Sequence, residues 1–115
     1  MRAARARVRP KPDLDTDDRQ GLLALMNLGP ATLGYLAELG VTSVATLARQ
    51  DADELYVRLQ AQRHAPFDPC LHDTFAAVIH EARTGEKRPW FTFTAERKRR
   101  EAKGAFGLHR RDLKP

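Results

Sequence analysis

The turn-forming run at residues 27–30 (Asn-Leu-Gly-Pro) is the part of this 115-residue chain whose residue types most clearly suggest a ligand site. Asn and Gly tolerate a positive φ, and Pro is favoured at the first position of a helix. Backbone N–H groups around Gly29, Ala31 and Thr32 would then point outward at an anion, and a phosphate suits such a helix start. We expect Asn27 to shape the turn, Thr32 to add a hydroxyl contact, and Gly29 to adopt a conformation closed to β-branched residues.

A basic run near the C-terminal end is the second candidate for phosphate contacts, on grounds of charge. The run follows an aromatic segment, and aromatic side chains interleaved with bases can stack on unpaired nucleotides. The alternative, which we favour, is that Trp90 and Phe93 cover the hydrophobic core. The basic run consists of Arg97, Lys98, Arg99 and Arg100.

The residues that could support catalysis or bind a metal do not form a recognisable constellation. Cys70 is the single cysteine, and His72, two residues later, would lie on a different face of a helix. His72 and His80 are eight residues apart, about 80° around a helix, and no paired-cysteine element accompanies them. We therefore expect no catalytic residue, no metal site and no cofactor. Cys70 itself is expected to be buried and inert.

Charge is distributed unevenly along the chain, although the formal net charge is only +5. Residues 1–11 carry five bases and no acid, residues 12–85 carry five bases and eleven acids, and residues 86–115 carry ten bases and four acids. Basic ends of this kind suit a polyanion such as nucleic acid, whereas the acidic middle argues against one uniformly basic face. The alternative is that both ends are solvated tails.

Neither a membrane span nor a secretory signal is apparent in the sequence. The longest apolar run is residues 22–26, far short of the ~20 residues that a spanning helix needs. Residues 1–10 are rich in Arg but lack the apolar stretch of a signal peptide. Because a lone cysteine cannot form an intrachain disulfide, we expect a reducing, cytoplasmic location.

Helix signals recur along the chain and predict an all-α domain, a small bundle of about five short helices. Caps and breakers place these helices at about 16–26, 30–39, 44–49, 52–62 and 69–84. Gly40 is expected to end the second helix, and the expected capping residues are Thr16, Thr42 or Ser43, Asp51 and Asp68. The last carries a clear apolar stripe: Leu71, Phe75, Val78, Ile79 and Ala82. Residues 90–94 alternate bulky and polar side chains, so we expect an extended flap there. We divide the chain into a disordered basic arm (1–14), a domain (15–95) and a basic tail (96–115).

Residues 25–36 and the segment that follows resemble a helix-hairpin-helix motif. Leu28-Gly29 matches the second half of the hairpin, and Gly40-Val41 matches the glycine-hydrophobic pair that precedes a capped helix. Together with segments 51–59, 68–75 and 88–91, residues 20–95 resemble the pathogenicity-locus family, some members of which are labelled mitomycin resistance proteins. The C-terminal domain of TfoX-type competence regulators is a more distant resemblance.

The resemblance implies that the chain binds the backbone of double-stranded DNA without reading its sequence. Asn27 stands where the first hairpin glycine usually lies, and Ala31 replaces the Lys or Arg common after Gly-Pro. The hairpin thus lacks one charged contact, so we expect the basic ends to supply most of the attraction. We predict a non-catalytic DNA-binding protein with a role in DNA repair or stress tolerance. The alternative is a protein-interaction or adaptor module that uses the domain as a scaffold.

Overall fold

Six α-helices and one 3₁₀ helix follow one another through residues 15–104, the part of the chain that the computed structural model describes. They are α1 (Thr16–Leu23), α2 (Pro30–Glu38), α3 (Val44–Ala48), α4 (Ala52–Arg63), α5 (Cys70–Thr84), the 3₁₀ helix (Trp90–Phe93) and α6 (Thr94–Ala102). No strand occurs within this range. The predicted all-α class is confirmed, whereas the predicted arm, 1–14, and the end of the predicted tail, 105–115, lie outside the described residues.

Short polar side chains start four of the helices, because each accepts a hydrogen bond from a backbone N–H group that has no partner within its helix. Ser43 caps α3, Asp51 caps α4, and Asp68 accepts the N–H of the first residue of α5, as the sequence predicts. The predicted cap of α1, Thr16, is wrong by one residue. Asp15 fills that position and accepts the N–H group two residues later.

Gly40 ends α2 in the way that the sequence predicts. Its φ of +83° lies in the left-handed region, where a side chain would be strained. The chain can therefore fold back, and the N–H of Val41 donates to the carbonyl oxygen of Leu36 at 2.8 Å. Val41 is thereby buried in the core beside Leu36. The reversal leads directly into the short α3.

The amphipathic helix α5 lies at the centre of the fold and packs against α3, α4 and the 3₁₀ helix. Its Phe75 and Val78 are fully buried, which confirms the central part of the predicted apolar stripe. Burying a large apolar side chain contributes roughly 1.5–3 kcal/mol, so this helix anchors the bundle. The cluster that surrounds it contains Leu22, Leu33, Leu36, Leu47, Leu55, Tyr56 and Leu59.

The segment after α5 differs from the sequence-based expectation. Residues 90–93 form a 3₁₀ helix rather than an extended flap, because the N–H and hydroxyl of Thr92 both donate to the carbonyl oxygen of Pro89. Helix α6 then begins at Thr94. The predicted boundary between domain and tail, after residue 95, thus falls inside a helix. Within the described residues, every helix is too short or too polar to cross a membrane.

Candidate nucleic-acid interface

In the turn between α1 and α2, residues 24–29, Asn27 is the residue with the unusual backbone conformation. Asn27 has a φ of 73°, which confirms the sequence-based expectation that this Asn takes the place of a turn glycine. Gly29 has φ −99° and ψ −176°, an extended conformation open to any residue. The prediction that Gly29 needs a glycine-specific conformation is therefore wrong. The space beside Gly29 is open, since an added Cβ would have no heavy atom within 4 Å.

The side chain of Asn27 fixes this turn to a distant part of the chain. Its Nδ2 donates to the carbonyl oxygen of Arg88 at 2.8 Å, and its Oδ1 accepts the N–H of Trp90 at 3.0 Å. Both ends of the amide are thus satisfied by backbone groups on either side of Pro89. The sequence suggested only the left-handed conformation of Asn27, since a contact over more than sixty residues leaves no local signal.

A buried carboxylate holds the turn at a second point. Glu81, on α5, accepts the backbone N–H of Met26 at 2.8 Å with Oε1. The other oxygen of Glu81 accepts a hydrogen bond from Lys87, whose side chain is exposed. The lysine offsets the negative charge that Glu81 would otherwise place beside the turn. The sequence does not predict this role of Glu81, because Glu81 is one of several polar residues in an amphipathic helix.

Helix α2 starts at this turn without a side-chain cap. Gly29 occupies the capping position and has no side chain to accept the first N–H groups of the helix. Pro30 and Ala31 are exposed, whereas Thr32 is only 9% exposed. Thr32 is thus largely withdrawn from solvent, and the hydroxyl contact expected of it stays a prediction. The predicted phosphate site therefore consists of backbone N–H groups in the positive field of a helix start.

The predicted basic run is divided by the fold into two buried or paired bases and two exposed ones. Arg97 is 6% exposed, and its guanidinium donates to Asp73 through Nε at 2.9 Å and Nη2 at 3.2 Å. Arg100 forms an ion pair with Asp53. Lys98 and Arg99 remain exposed on α6. The assignment of Arg97 and Arg100 to phosphate binding is therefore corrected, because both guanidinium groups are bound to carboxylates of the domain.

His72 joins the two ion pairs into one polar network inside the domain. Its Nε2 lies 2.6 Å from Asp53 and its Nδ1 lies 3.4 Å from Asp73. Thr94 donates its hydroxyl to Asp73 at 2.7 Å. The network links α4, α5 and α6. Since it satisfies these buried groups, it has the character of a structural element rather than of a reactive centre.

Both aspartates of this network are easier to ionise than an ordinary carboxyl group. Burial alone would raise the pKa of Asp73, but hydrogen bonds from His72, Arg97 and Thr94 outweigh it and lower that pKa below 3.8. Burial likewise opposes ionisation of Asp53. Hydrogen bonds from Arg100 and His72 prevail and lower the pKa of Asp53. Both groups are therefore carboxylates at neutral pH.

Cys70 differs from its prediction in one respect. The residue is partly exposed at the start of α5, so the expectation of full burial is wrong. Desolvation nevertheless raises the pKa of the thiol, and hydrogen bonding and charge repulsion from Asp68 raise it further. A raised pKa leaves little nucleophilic thiolate at neutral pH. Among residues 15–104, no group of three or more histidine, cysteine, aspartate or glutamate side chains could hold a metal ion.

The aromatic residues next to the turn differ in their exposure to solvent. Trp90 and Phe93 are partly buried, and the guanidinium of Arg88 lies 4.4 Å from the Phe93 ring centroid. Phe91, between them, is 61% exposed. Because the N–H of Trp90 is bound to Asn27, this aromatic segment lies beside the turn that precedes α2. We call residues 27–32 and 87–91 together the turn surface.

The turn surface lies in a region of the chain that is similar to known proteins. The sequence profile of the pathogenicity-locus family (Cdd1) matches residues 15–99, which include the whole turn surface. Mitomycin resistance protein McrB of Streptomyces lavendulae is 36% identical over 86 residues, which cover 75% of this chain and 82% of that protein. No solved structure gives a significant match.

Proposed function

We propose that this chain, which belongs to the pathogenicity-locus family, is a non-catalytic cytoplasmic protein that binds the backbone of double-stranded DNA without reading its sequence. The turn between α1 and α2 would act as a helix-hairpin-helix and hold a phosphate through its backbone N–H groups. Lys98, Arg99 and the basic ends of the chain would supply the longer-range attraction. Contacts of this kind position a protein on DNA but carry no sequence information.

The observation that carries the proposal is the open, uncapped and firmly held start of α2. Gly29 leaves room for a ligand, and no side chain competes for the first N–H groups of the helix. The turn is fixed from both sides by Asn27 and by the contact of Glu81 with Met26. A site that is ordered before binding loses little conformational entropy when a ligand arrives. A helix start held in this way is suited to an anionic oxygen.

The charge distribution supports a DNA ligand over a small anion. Residues 1–11 have a net charge of +5 and residues 86–115 a net charge of +6, while residues 12–85 have −6. Basic segments at both ends of the chain can contact several phosphates of one duplex and release its condensed counterions. The acidic middle would disfavour duplex contacts elsewhere on the domain. The proposal therefore predicts binding that is strong at low salt and indifferent to base sequence.

A role in tolerance of DNA damage or other stress is the biological context that we propose. The name of the Streptomyces lavendulae relative attaches that protein to mitomycin resistance. A protein that coats or marks the DNA backbone at sites of stress needs no catalytic group of its own. DNA repair is one setting in which such binding would serve.

A substitution at Gly29 tests the proposal directly, because the structure predicts that Gly29→Val leaves the fold intact. The added side chain would stand where the phosphate must approach. Loss of one charged hydrogen bond costs about 1.5–3 kcal/mol, so duplex affinity should fall by about tenfold or more. Gly34→Val, on the exposed face of the same helix, is the matched control and should bind like the wild type. Equal duplex affinity in both variants would remove the turn from the site.

The adaptor function is the second candidate, and a separate observation favours it. Three large apolar side chains are exposed within the described range: Leu23 at 37%, Met26 at 38% and Phe91 at 61%. Leu23 directly precedes the turn and Met26 lies in it, and exposed apolar groups of this kind can contact a protein partner. Absence of duplex binding at about 50 mM salt, with a folded protein, would favour this candidate over DNA binding.

A further inference from the structure

We infer that the exposed ring of Phe91 is a stacking platform for an unpaired base, so that the protein prefers DNA in which a duplex meets a single strand. The inference rests on the proposed function and adds to it the structural class of DNA. It assigns the phosphate to the start of α2 and the unpaired base to Phe91. Both parts of the turn surface would then contact the same nucleic-acid strand.

The backbone that carries Phe91 is ordered, although the ring of Phe91 is exposed. Thr92 donates two hydrogen bonds to the carbonyl oxygen of Pro89, at 3.0 Å through its N–H and at 2.8 Å through its hydroxyl. These bonds close the 3₁₀ turn around Phe91. The ring of Trp90 lies edge-on to that of Phe91, with centroids 5.9 Å apart and an interplanar angle of 82°. An aromatic group on an ordered turn loses less entropy on binding than one on a flexible loop does.

Phe91 lies close to the proposed phosphate site in space, although the two are far apart along the chain. The 3.0 Å hydrogen bond from the N–H of Trp90 to Asn27 joins the two segments. Phe91 directly follows Trp90, and Gly29 lies two residues after Asn27. Two residues of extended chain span about 7 Å, so the platform and the phosphate site are separated by a distance of the order of one or two nucleotides. A base adjacent to the bound phosphate could therefore reach Phe91.

The chemistry of the surroundings favours a nucleotide over an apolar partner. Arg88 precedes Phe91 by three residues and supplies a cation to this segment, whereas Lys87 is bound to Glu81. The Arg88 guanidinium lies over the ring of Phe93, which belongs to the same 3₁₀ helix as Phe91. Aromatic rings combined with a basic groove are the usual elements of single-strand recognition. In an uninterrupted duplex every base is already stacked, and only a frayed end, a gap or an overhang offers a free face.

The test compares three DNA probes of the same labelled strand with the full chain at one salt concentration: a blunt duplex, that duplex with a six-thymine overhang, and the single strand. We expect the overhang duplex to bind about tenfold more tightly than the blunt duplex, since one stacked base is worth about this factor. Phe91→Ala should lower the affinity for the overhang duplex to that for the blunt duplex. Phe91→Tyr, which retains a ring, should keep the preference, whereas Phe91→Leu, which retains only apolar character, should lose it.

Fluorescence of Trp90 gives an independent readout, because it is the single tryptophan of the chain and its ring contacts that of Phe91. The overhang probe should change its emission more than the blunt probe does. Equal wild-type affinity for blunt and overhang duplexes would overturn the inference and leave the proposed function standing. A preference that survives in Phe91→Ala would also overturn it. Absence of binding to all three probes would overturn both, and Phe91 would then belong to a surface for a protein partner.

Discussion

Arg97 and Asp73 form a two-pronged ion pair that is almost wholly withdrawn from solvent. Nε of Arg97 lies 2.9 Å from Oδ1 of Asp73 and Nη2 lies 3.2 Å from Oδ2, while Nη1 donates to Glu101 at 3.0 Å. Asp73 is fully buried on α5. The pair therefore fixes α6 to the centre of the bundle. What the sequence presents as the beginning of a basic tail is an integral helix of the domain.

Removal of Arg97 should strongly destabilise the protein. The variant Arg97→Ala leaves the Asp73 carboxylate buried with fewer donors, and breaking a buried ion pair from one side costs about 3–5 kcal/mol. We expect the free energy of unfolding, measured by urea denaturation, to fall by about that amount. The matched control is Arg99→Ala on the same helix, where the side chain is exposed and lies 3.9 Å from Glu96. That variant should change stability by less than about 0.5 kcal/mol. Similar values for the two variants would mean that α6 does not depend on the buried pair.

Acid should destabilise the fold through the same network. The folded protein lowers the pKa of Asp53 and Asp73 below the unfolded value of 3.8. As the pH falls below about 4, the unfolded chain takes up protons while the folded protein does not, so the unfolded state is favoured. Stability supplied by these groups is thus complete above pH ~5 and is lost as the pH falls through their folded pKa values.

The measurement is a series of urea denaturations between about pH 6 and pH 2.5. The variant Asp53→Asn, which cannot titrate at this position, should lose less stability across the series than the wild type does. Asp53 is the better position for this comparison because it is partly exposed, whereas Asp73 is fully buried. A variant whose stability falls as steeply as that of the wild type would exclude Asp53 from the acid response.

The local elements of this fold could be predicted because their causes are local. Ser43, Asp51 and Asp68 start helices through hydrogen bonds to groups two or three residues away, and Gly40 ends one through its own φ. The docking of α6 could not be predicted in this way. Arg97 and Arg99 are the same residue type and have similar sequence neighbours. Arg97 is buried and Arg99 is exposed because only Arg97 binds Asp73, 24 residues earlier in the chain.

Asn27 should be important for stability for two separable reasons. Its φ of 73° is unfavourable for Ala but not for Gly, and its side chain makes the hydrogen bonds to Arg88 and Trp90. Asn27→Gly removes the hydrogen bonds alone, which should cost about 1–3 kcal/mol. Asn27→Ala adds backbone strain and should cost about 1 kcal/mol more. Thermal or urea denaturation of the two variants measures both contributions. Equal stability of the two would show that the left-handed conformation carries no cost here.

Gly29 gives the complementary prediction, which reverses an expectation from sequence. Its extended backbone and open surroundings indicate that Gly29→Ala leaves the melting temperature almost unchanged. The sequence could identify the turn, because Gly-Pro and Asn are local signals, but not which of the two residues carries the positive φ. The positive φ falls at Asn27 because the side chain of Asn27 is hydrogen-bonded to the backbone of Arg88 and Trp90, which lie far along the chain. A large fall in melting temperature for Gly29→Ala would contradict this account.

The salt dependence of duplex binding should show where the attraction originates. The two ends hold fifteen bases, of which Lys87, Arg97 and Arg100 are bound to carboxylates of the domain, so twelve remain. If about half of these contact phosphates at once, the slope of log K against log salt is about −5.4, at about −0.9 for each phosphate. The turn alone would contact roughly two phosphates and give a slope near −2. We expect the steeper value for the full chain.

The basic ends must be tested by substitution rather than by truncation at residue 96, because truncation there would remove Arg97 and with it the buried ion pair of Asp73. Replacing the four arginines of residues 1–11 with glutamine should eliminate about two contacts and shift the slope from about −5.4 to about −3.6. Affinity should stay independent of duplex sequence, since backbone contacts do not distinguish bases. A full-chain slope near −2 that the replacement leaves unchanged would place the attraction at the turn. A strong preference over a scrambled duplex would instead contradict binding to the backbone alone.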